Sequence, residues 1–276
     1  MKENLNIGII TGKKLTDALL CEALTKKFPN IKIVQYKIPF NMWIPWIWKR
    51  IIKMGCIVLC GHIFLSIYLR IQRKIELFHK KPLWLKYTNV TPAWKELNKK
   101  KEICLSEKAL IKKIRGLDVI ILADSFRLSH KFFRKTKVPC LQLVWGLAPS
   151  YMGDSAGFWA FASHNKQHVG ISIIERFAQF NKIRIIKQRI IETGHQEDLR
   201  SIKIKQVIKM AEILPEIIER YFNKETVPRQ QTTEIICRIF QAPTLSTYLH
   251  FLKFRKINTL PHYSYNDIPC TLITAK

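Results

Sequence analysis

The sequence lacks the compact signatures that usually announce a chemistry. There is no GxGxxG: the first strand-to-helix turn, TGKKLTD, holds one glycine, at position 12, and is not a dinucleotide fingerprint. There is also no Walker A loop, no GxSxG elbow and no HExxH, which sets aside P-loop, α/β-hydrolase and zincin chemistry. Seven cysteines lie at 21, 56, 60, 104, 140, 237 and 270, with no CxxC pair among them. An odd, scattered set reads as reduced, partly buried thiols of a cytoplasmic protein, and no metal site is expected. No secretory signal is visible, since the N-terminal NLNIGIITG is a short apolar run that ends in glycine and reads as a first strand. Acidic residues are scarce too: 20 stand against 47 lysines and arginines, for a formal net charge of +27.

Such an excess of positive charge points to polyanionic partners, either a small anionic ligand, an anionic membrane face or nucleic acid. The lysines are spread along the chain and not gathered in one tract, so they read equally well as solvated faces. No RNA-recognition signature accompanies them, and nucleic acid is not expected beyond non-specific charge attraction. Hydrophobic residues make up 47% of the 276, ample for a sizeable core.

Strand and helix patterns alternate through the first 165 residues, which predicts an open, mostly parallel, doubly wound α/β sheet. Strands are expected at 5–11, 30–38, 118–123 and 138–144, and the β-branched runs 168–177 and 183–192 predict a hairpin. TDALLCEALTKKF reads as the first helix, and residues 91–117 read as largely helical. Residues 199–222 have helical spacing, with Pro215 expected to kink or split the helix. After 222 the pattern weakens: a polar linker around 226–233, a short helix over EIICRIF, and a basic, aromatic tail. The domain reading is therefore one α/β domain over 1–222, with a helical insert at about 40–80, and a short C-terminal helical extension over 223–276.

The insert holds the one membrane suspect. MGCIVLCGHIFLSIYL, residues 54–69, is uncharged but shorter than the ~18 to 20 apolar residues of a spanning helix, and it contains His62. Just before it, FNMWIPWIWKRIIK sets Trp43, Trp46 and Trp48 beside basic residues. Two readings stand for 40–70: a surface that rests on a membrane or a protein partner, or an insert packed onto its own domain.

The most informative stretch is LQLVWGLAPSYMGDSAGFWAF, residues 141–161: the end of a buried strand, a loop marked by glycine and proline, then an apolar helix. With VWGLAPSYMG, FWAF, GISI (170–173) and NKIRII (181–186) in that order and spacing, the chain resembles the folate-dependent formyltransferases over roughly residues 5–222. The insert also resembles a helix of their sugar-pathway branch. The resemblance implies a formyltransferase-type, Rossmann-like sheet, and a loop that binds substrate through Trp145, Gly146, Leu147, Pro149, Tyr151 and Gly153. It also places the family's catalytic Asn, His and Asp on Gln142, Val144 and Asn181. In that family an amine attacks the formyl carbon of a folate, while the Asn and His hold the oxyanion and the Asp assists proton traffic. Valine can neither donate nor shuttle a proton, and asparagine cannot take one up at neutral pH. Loss of an oxyanion donor costs about 10²–10³ in rate, and loss of a general acid–base about 10²–10⁴.

The expectation is a formyltransferase-like protein with impaired or lost catalysis that keeps a cleft for a small anionic ligand or a protein partner. The alternative is an active enzyme that moves a formyl group from 10-formyltetrahydrofolate to an amine of an amino sugar or aminoacyl substrate with non-standard residues. His164, His168 or His195 would then serve as a relocated base. The protein is expected to be cytoplasmic, or cytoplasmic and membrane-peripheral.

Overall fold

The computed structural model describes residues 5–12, 14–37, 43–79, 82–87, 101–123, 128–136, 138–176, 183–223, 230–231, 237–256, 268 and 270–273. The chain runs β1 (Ile7–Thr11), α1 (Leu15–Lys27), β2 (Lys32–Tyr36), α2 (Trp43–Met54), α3 (Cys56–Phe78), β3 (Lys101–Cys104), α4 (Glu107–Lys113), β4 (Val119–Leu122), α5 (His130–Lys135) and β5 (Cys140–Val144). It continues through α6 (Ala156–Ala162), β6 (Gly170–Arg176), β7 (Ile183–Ile190), α7 (Leu199–Phe222), β8 (Gln230–Gln231), β9 (Cys237–Phe240), α8 (Leu245–Lys256) and β10 (Cys270–Ile273).

Eight strands form one sheet in the order β3-β2-β1-β4-β5-β6-β7-β8. The pairs among β3, β2, β1, β4 and β5 are parallel, and β6, β7 and β8 add on antiparallel. β1 and β4 are buried on both faces, as central strands between helical layers must be, which is why IGIIT and VIIL are apolar without alternation. One face carries the large core, with Leu20 and Leu24 of α1, Trp159 of α6 and Leu214 and Ile218 of α7. The other face packs Leu110 of α4 and Phe132 of α5 against Ile10 and Ile120. The sheet is therefore doubly wound, and the order reverses beside β1, where ligands of such sheets bind at the carboxyl ends of the strands.

Several local expectations are corrected. Lys101–Cys104, read as part of a helix, is edge strand β3, because it pairs in register with β2. In the described part of EIICRIF the expected helix is absent: Cys237–Phe240 is strand β9, paired antiparallel with β10. Gln230 and Gln231, read as linker, add a short edge strand to β7. Pro215 does not split α7, which runs unbroken for 24 residues. Ile213, Leu214, Ile217 and Ile218 on both sides of the proline are buried against the core and hold the two halves in line. Cys56 and Cys60 are exposed, while Cys21, Cys104 and Cys140 are buried.

The C-terminal segment shares the main core. Phe240, Tyr248, Phe251 and Ile268 lie in the same cluster as the strands of the sheet, with Phe158 edge-on to Phe251 at 4.9 Å. The insert forms two helices, as expected. One face of α3 rests on α8, where Gly61 meets Thr244 and Tyr68 meets Tyr248 edge-on at 6.3 Å. The guanidinium of Arg200 on α7 ties α3 down through a two-bond pair with Glu76, at 2.6 and 2.5 Å.

Candidate functional site

Gln142 and Val144 lie at the carboxyl end of β5 on one face, and Leu141, Leu143 and Trp145 point to the other. Val144 is 3% exposed and packs among aliphatic side chains, with Ala148, Met152, Ile174, Ile183 and Ile185 around it. Gln142 is buried, and its Oε1 accepts no hydrogen bond among the described residues. Asn181 lies outside the described residues.

The loop after β5 is tightly built. Ser172 Oγ donates to Gly146 O at 2.7 Å and accepts from Ala148 N at 2.9 Å, while Gln188 Nε2 donates to Ala148 O at 2.8 Å. A Cβ on Gly146 would run into the carbonyl of Tyr151 and the methyl of Ala156. Gly153 stands at φ +106°, a region that disfavours other residues, with the Phe240 carbonyl against its α-carbon side. Strand β9 covers the loop: Met152 N donates to Arg238 O at 3.0 Å and Phe240 N to Met152 O at 2.7 Å. Tyr151, 2% exposed, stacks on Phe240 at 4.9 Å and against His168 at 5.2 Å. Trp145, Gly146, Leu147, Pro149, Tyr151 and Gly153 are thus brought together in one folded loop, with Trp145 and Tyr151 inside the core. His168 belongs to the Tyr151 packing, and His164 and His195 are exposed.

A cleft of about 320 Å³ opens beside this loop, between the β1–α1 turn, α3 and the start of α7. That volume is in the range of small-molecule sites. Among the described residues, five cationic side chains line it, Lys14, Arg70, Arg73, Arg200 and Lys203, and Asp154 is the one carboxylate. Lys14 follows β1 directly, which puts the cleft at the carboxyl end of the strand where the sheet order reverses. The turn is braced from within, since Asp17 accepts from the backbone N–H of Gly12 at 3.0 Å and of Lys14 at 3.2 Å. Those amides are therefore committed, and anion recognition in the cleft falls to side chains.

Asp154 bridges the two lysines, 2.6 Å from Lys14 Nζ and 2.5 Å from Lys203 Nζ. Burial alone would raise the Asp154 carboxyl, but the ammonium groups of Lys203 and Lys14 outweigh it and hold the group well below the usual carboxylate range. Burial pushes the Lys203 ammonium down to about 8, with Asp154 opposing the shift and Lys14 adding to it. Lys203 Nζ also stands 3.9 Å over the Trp145 ring. Arg200 is spent on Glu76, whereas Arg70 and Arg73 are exposed and make no ion pair among the described residues. Burial pushes the Cys21 and Cys140 thiols up to about 12, so neither is a ready nucleophile.

No family model matches the chain, and no curated protein matches it by sequence. Solved structures do match. A 4-N formyltransferase from Francisella tularensis superposes with a TM-score of 0.50 at 13% identity, over 83% of this chain and 73% of that one. Phosphoribosylglycinamide formyltransferase from Anaplasma phagocytophilum gives 0.51 at 13% identity, over 84% and 96%. An N-formyltransferase from Helicobacter canadensis, solved with folinic acid and dTDP-3-aminofucose, gives 0.51 at 12% identity, over 86% and 71%. The chain has the formyltransferase fold.

The formyltransferase fold agrees with the resemblance carried by the strand-loop-helix at 141–161, and with the mostly parallel, Rossmann-like sheet expected from the sequence. At these identities the shared property is architecture. The cleft residues were missed in the sequence because Lys14, Arg70, Asp154 and Lys203 come from four distant segments. The one local signal is a lysine placed where the first strand of such a sheet ends.

Proposed function

We propose that this formyltransferase-fold protein no longer transfers formyl groups and instead holds an anionic small molecule, of the phosphorylated-sugar class, in the cationic cleft. The observation that carries the loss of chemistry is Val144, buried among aliphatic side chains where an imidazole would have to stand. A histidine there would need a partner for each ring nitrogen and access to substrate, and this pocket supplies packing only. Roofing of the loop by β9 supports the same reading, because Tyr151 and Met152 are sealed by the chain itself.

The cleft supports the retained binding. Arg70 and Arg73 make no ion pair among the described residues, and Lys14 and Lys203 both pair with Asp154, so the cleft offers an anion an excess of positive charge. A sugar nucleotide such as the dTDP-3-aminofucose held by the Helicobacter canadensis protein has the required pyrophosphate. Calorimetric titration of the full chain with dTDP tests the reading. Binding that is lost in Arg73→Ala/Lys203→Met supports it, and no heat at low salt, or heat unchanged by that pair, overturns it.

One observation favours the second reading, an active transferase using 10-formyltetrahydrofolate. Gln142 presents an amide at the end of β5 whose oxygen is unpartnered among the described residues, and its NH₂ could serve as an oxyanion donor.

A further inference from the structure

Helix α3 shows solvent a continuous apolar stripe. Ile57, Phe64, Ile67, Ile71, Ile75 and Phe78 follow one another at helical spacing and are 88, 58, 46, 51, 52 and 84% exposed. The opposite face is held by the domain through Leu59, His62 and Leu65, and by the Glu76–Arg200 pair. The orientation of the stripe is therefore fixed by the fold. Helix α2, joined to α3 through Gly55, adds further exposed apolar side chains, Ile44, Trp48 and Ile52, 54, 61 and 82% exposed. A monomeric protein seldom leaves so long an apolar face in water.

Charge decides what covers it. Arg70 and Lys74 are exposed on the flank of the stripe, Arg73 is exposed on the cleft side of the same helix, and the chain as a whole carries +27. A second copy would bring these cations against their own equivalents, whereas an anionic lipid surface takes them as counter-charge. By length and composition α3 could cross a bilayer. Crossing would strip Leu59, His62 and Leu65 from the domain and break the hold of the Glu76–Arg200 pair, whereas a helix that lies flat keeps both.

We propose that helices α2 and α3 dock the protein on an anionic membrane surface, with α3 in the interface plane and its stripe from Ile57 to Phe78 facing the acyl chains. Arg70 and Arg73 also line the cleft, so docking sets its mouth at headgroup level. This inference stands on the exposed faces of α2 and α3 and is independent of what the cleft holds.

Flotation of the full chain tests it, with vesicles of equal parts phosphatidylethanolamine and phosphatidylglycerol, and with phosphatidylcholine vesicles for comparison. The wild type should float with the anionic vesicles. Phe64→Glu/Ile71→Glu should lower partitioning by at least about a hundredfold, since two buried apolar side chains are lost from the interface. Both positions are exposed, so the variant should keep the wild-type circular dichroism and melting temperature. Absence of wild-type flotation, or equal flotation of wild type and variant, overturns the proposal. Light scattering without lipid supplies the other arm: a dimer that the same substitutions convert to monomer would assign the face to a second copy and overturn membrane docking.

Discussion

Lys203 stands 3.9 Å over the Trp145 indole while its ammonium lies 2.5 Å from Asp154. The first loop residue after β5 thus seats a cation of the cleft. The seat also desolvates that cation, which is why its pKa falls to about 8.

A pH dependence follows. A lysine with a depressed pKa is charged below that value and neutral above it. The cleft therefore loses one positive charge as pH rises through about 8. Affinity for dTDP should drop at least about fivefold between neutral and alkaline buffer, the worth of one close charge even at high dielectric. Lys203→Arg, which stays protonated, should flatten the profile. Calorimetry across the pH series reads both.

Val144 should behave as a packing residue. Val144→Ala removes two buried methyl groups from the cluster with Met152 and Ile174, and should cost about 1–3 kcal/mol. Affinity for dTDP should be unchanged, because Val144 does not line the cleft. Denaturant melts and titrations on the same sample separate the two effects.

Gly153→Ala should loosen β9. The substitution is strained at φ +106° and crowds the Phe240 carbonyl, so a loss of more than about 1 kcal/mol is expected. Limited trypsin digestion should then cut after Arg238 in β9 sooner than in the wild type.

Arg200→Ala should free α3 from α7. The pair with Glu76 is largely buried, and its removal leaves a carboxylate without its partner, at about 1–3 kcal/mol. Hydrogen exchange should rise along Cys56–Phe78 and stay unchanged in β1 and β4.

The doubly wound sheet was legible because its central strands, such as VIIL at 119–122, are apolar on both faces and alternate with longer helical stretches. The edge strands were not. Lys101–Cys104 and Gln230–Gln231 have no strand pattern of their own and become strands by pairing with β2 and β7. EIICRIF has apolar spacing that suits a helix as well as a strand, and its partner β10 lies some thirty residues further on. The loop at 145–153 could be read as a turn, but its cover could not, since that cover is β9 from the far end of the chain. The cleft was illegible for the same reason: a lysine after β1 and a lysine in α7 become one feature only when Asp154 stands between them.

The central claim is that the fold has kept a binding cleft and lost formyl transfer, and turnover by the unmodified protein tests it most directly. Incubated with 10-formyltetrahydrofolate and dTDP-3-aminofucose, the wild type should release tetrahydrofolate at the rate of the uncatalysed background. Robust turnover that Gln142→Ala or His168→Ala abolishes would contradict the claim, and would show that the chemistry runs on side chains that do not include an imidazole at position 144.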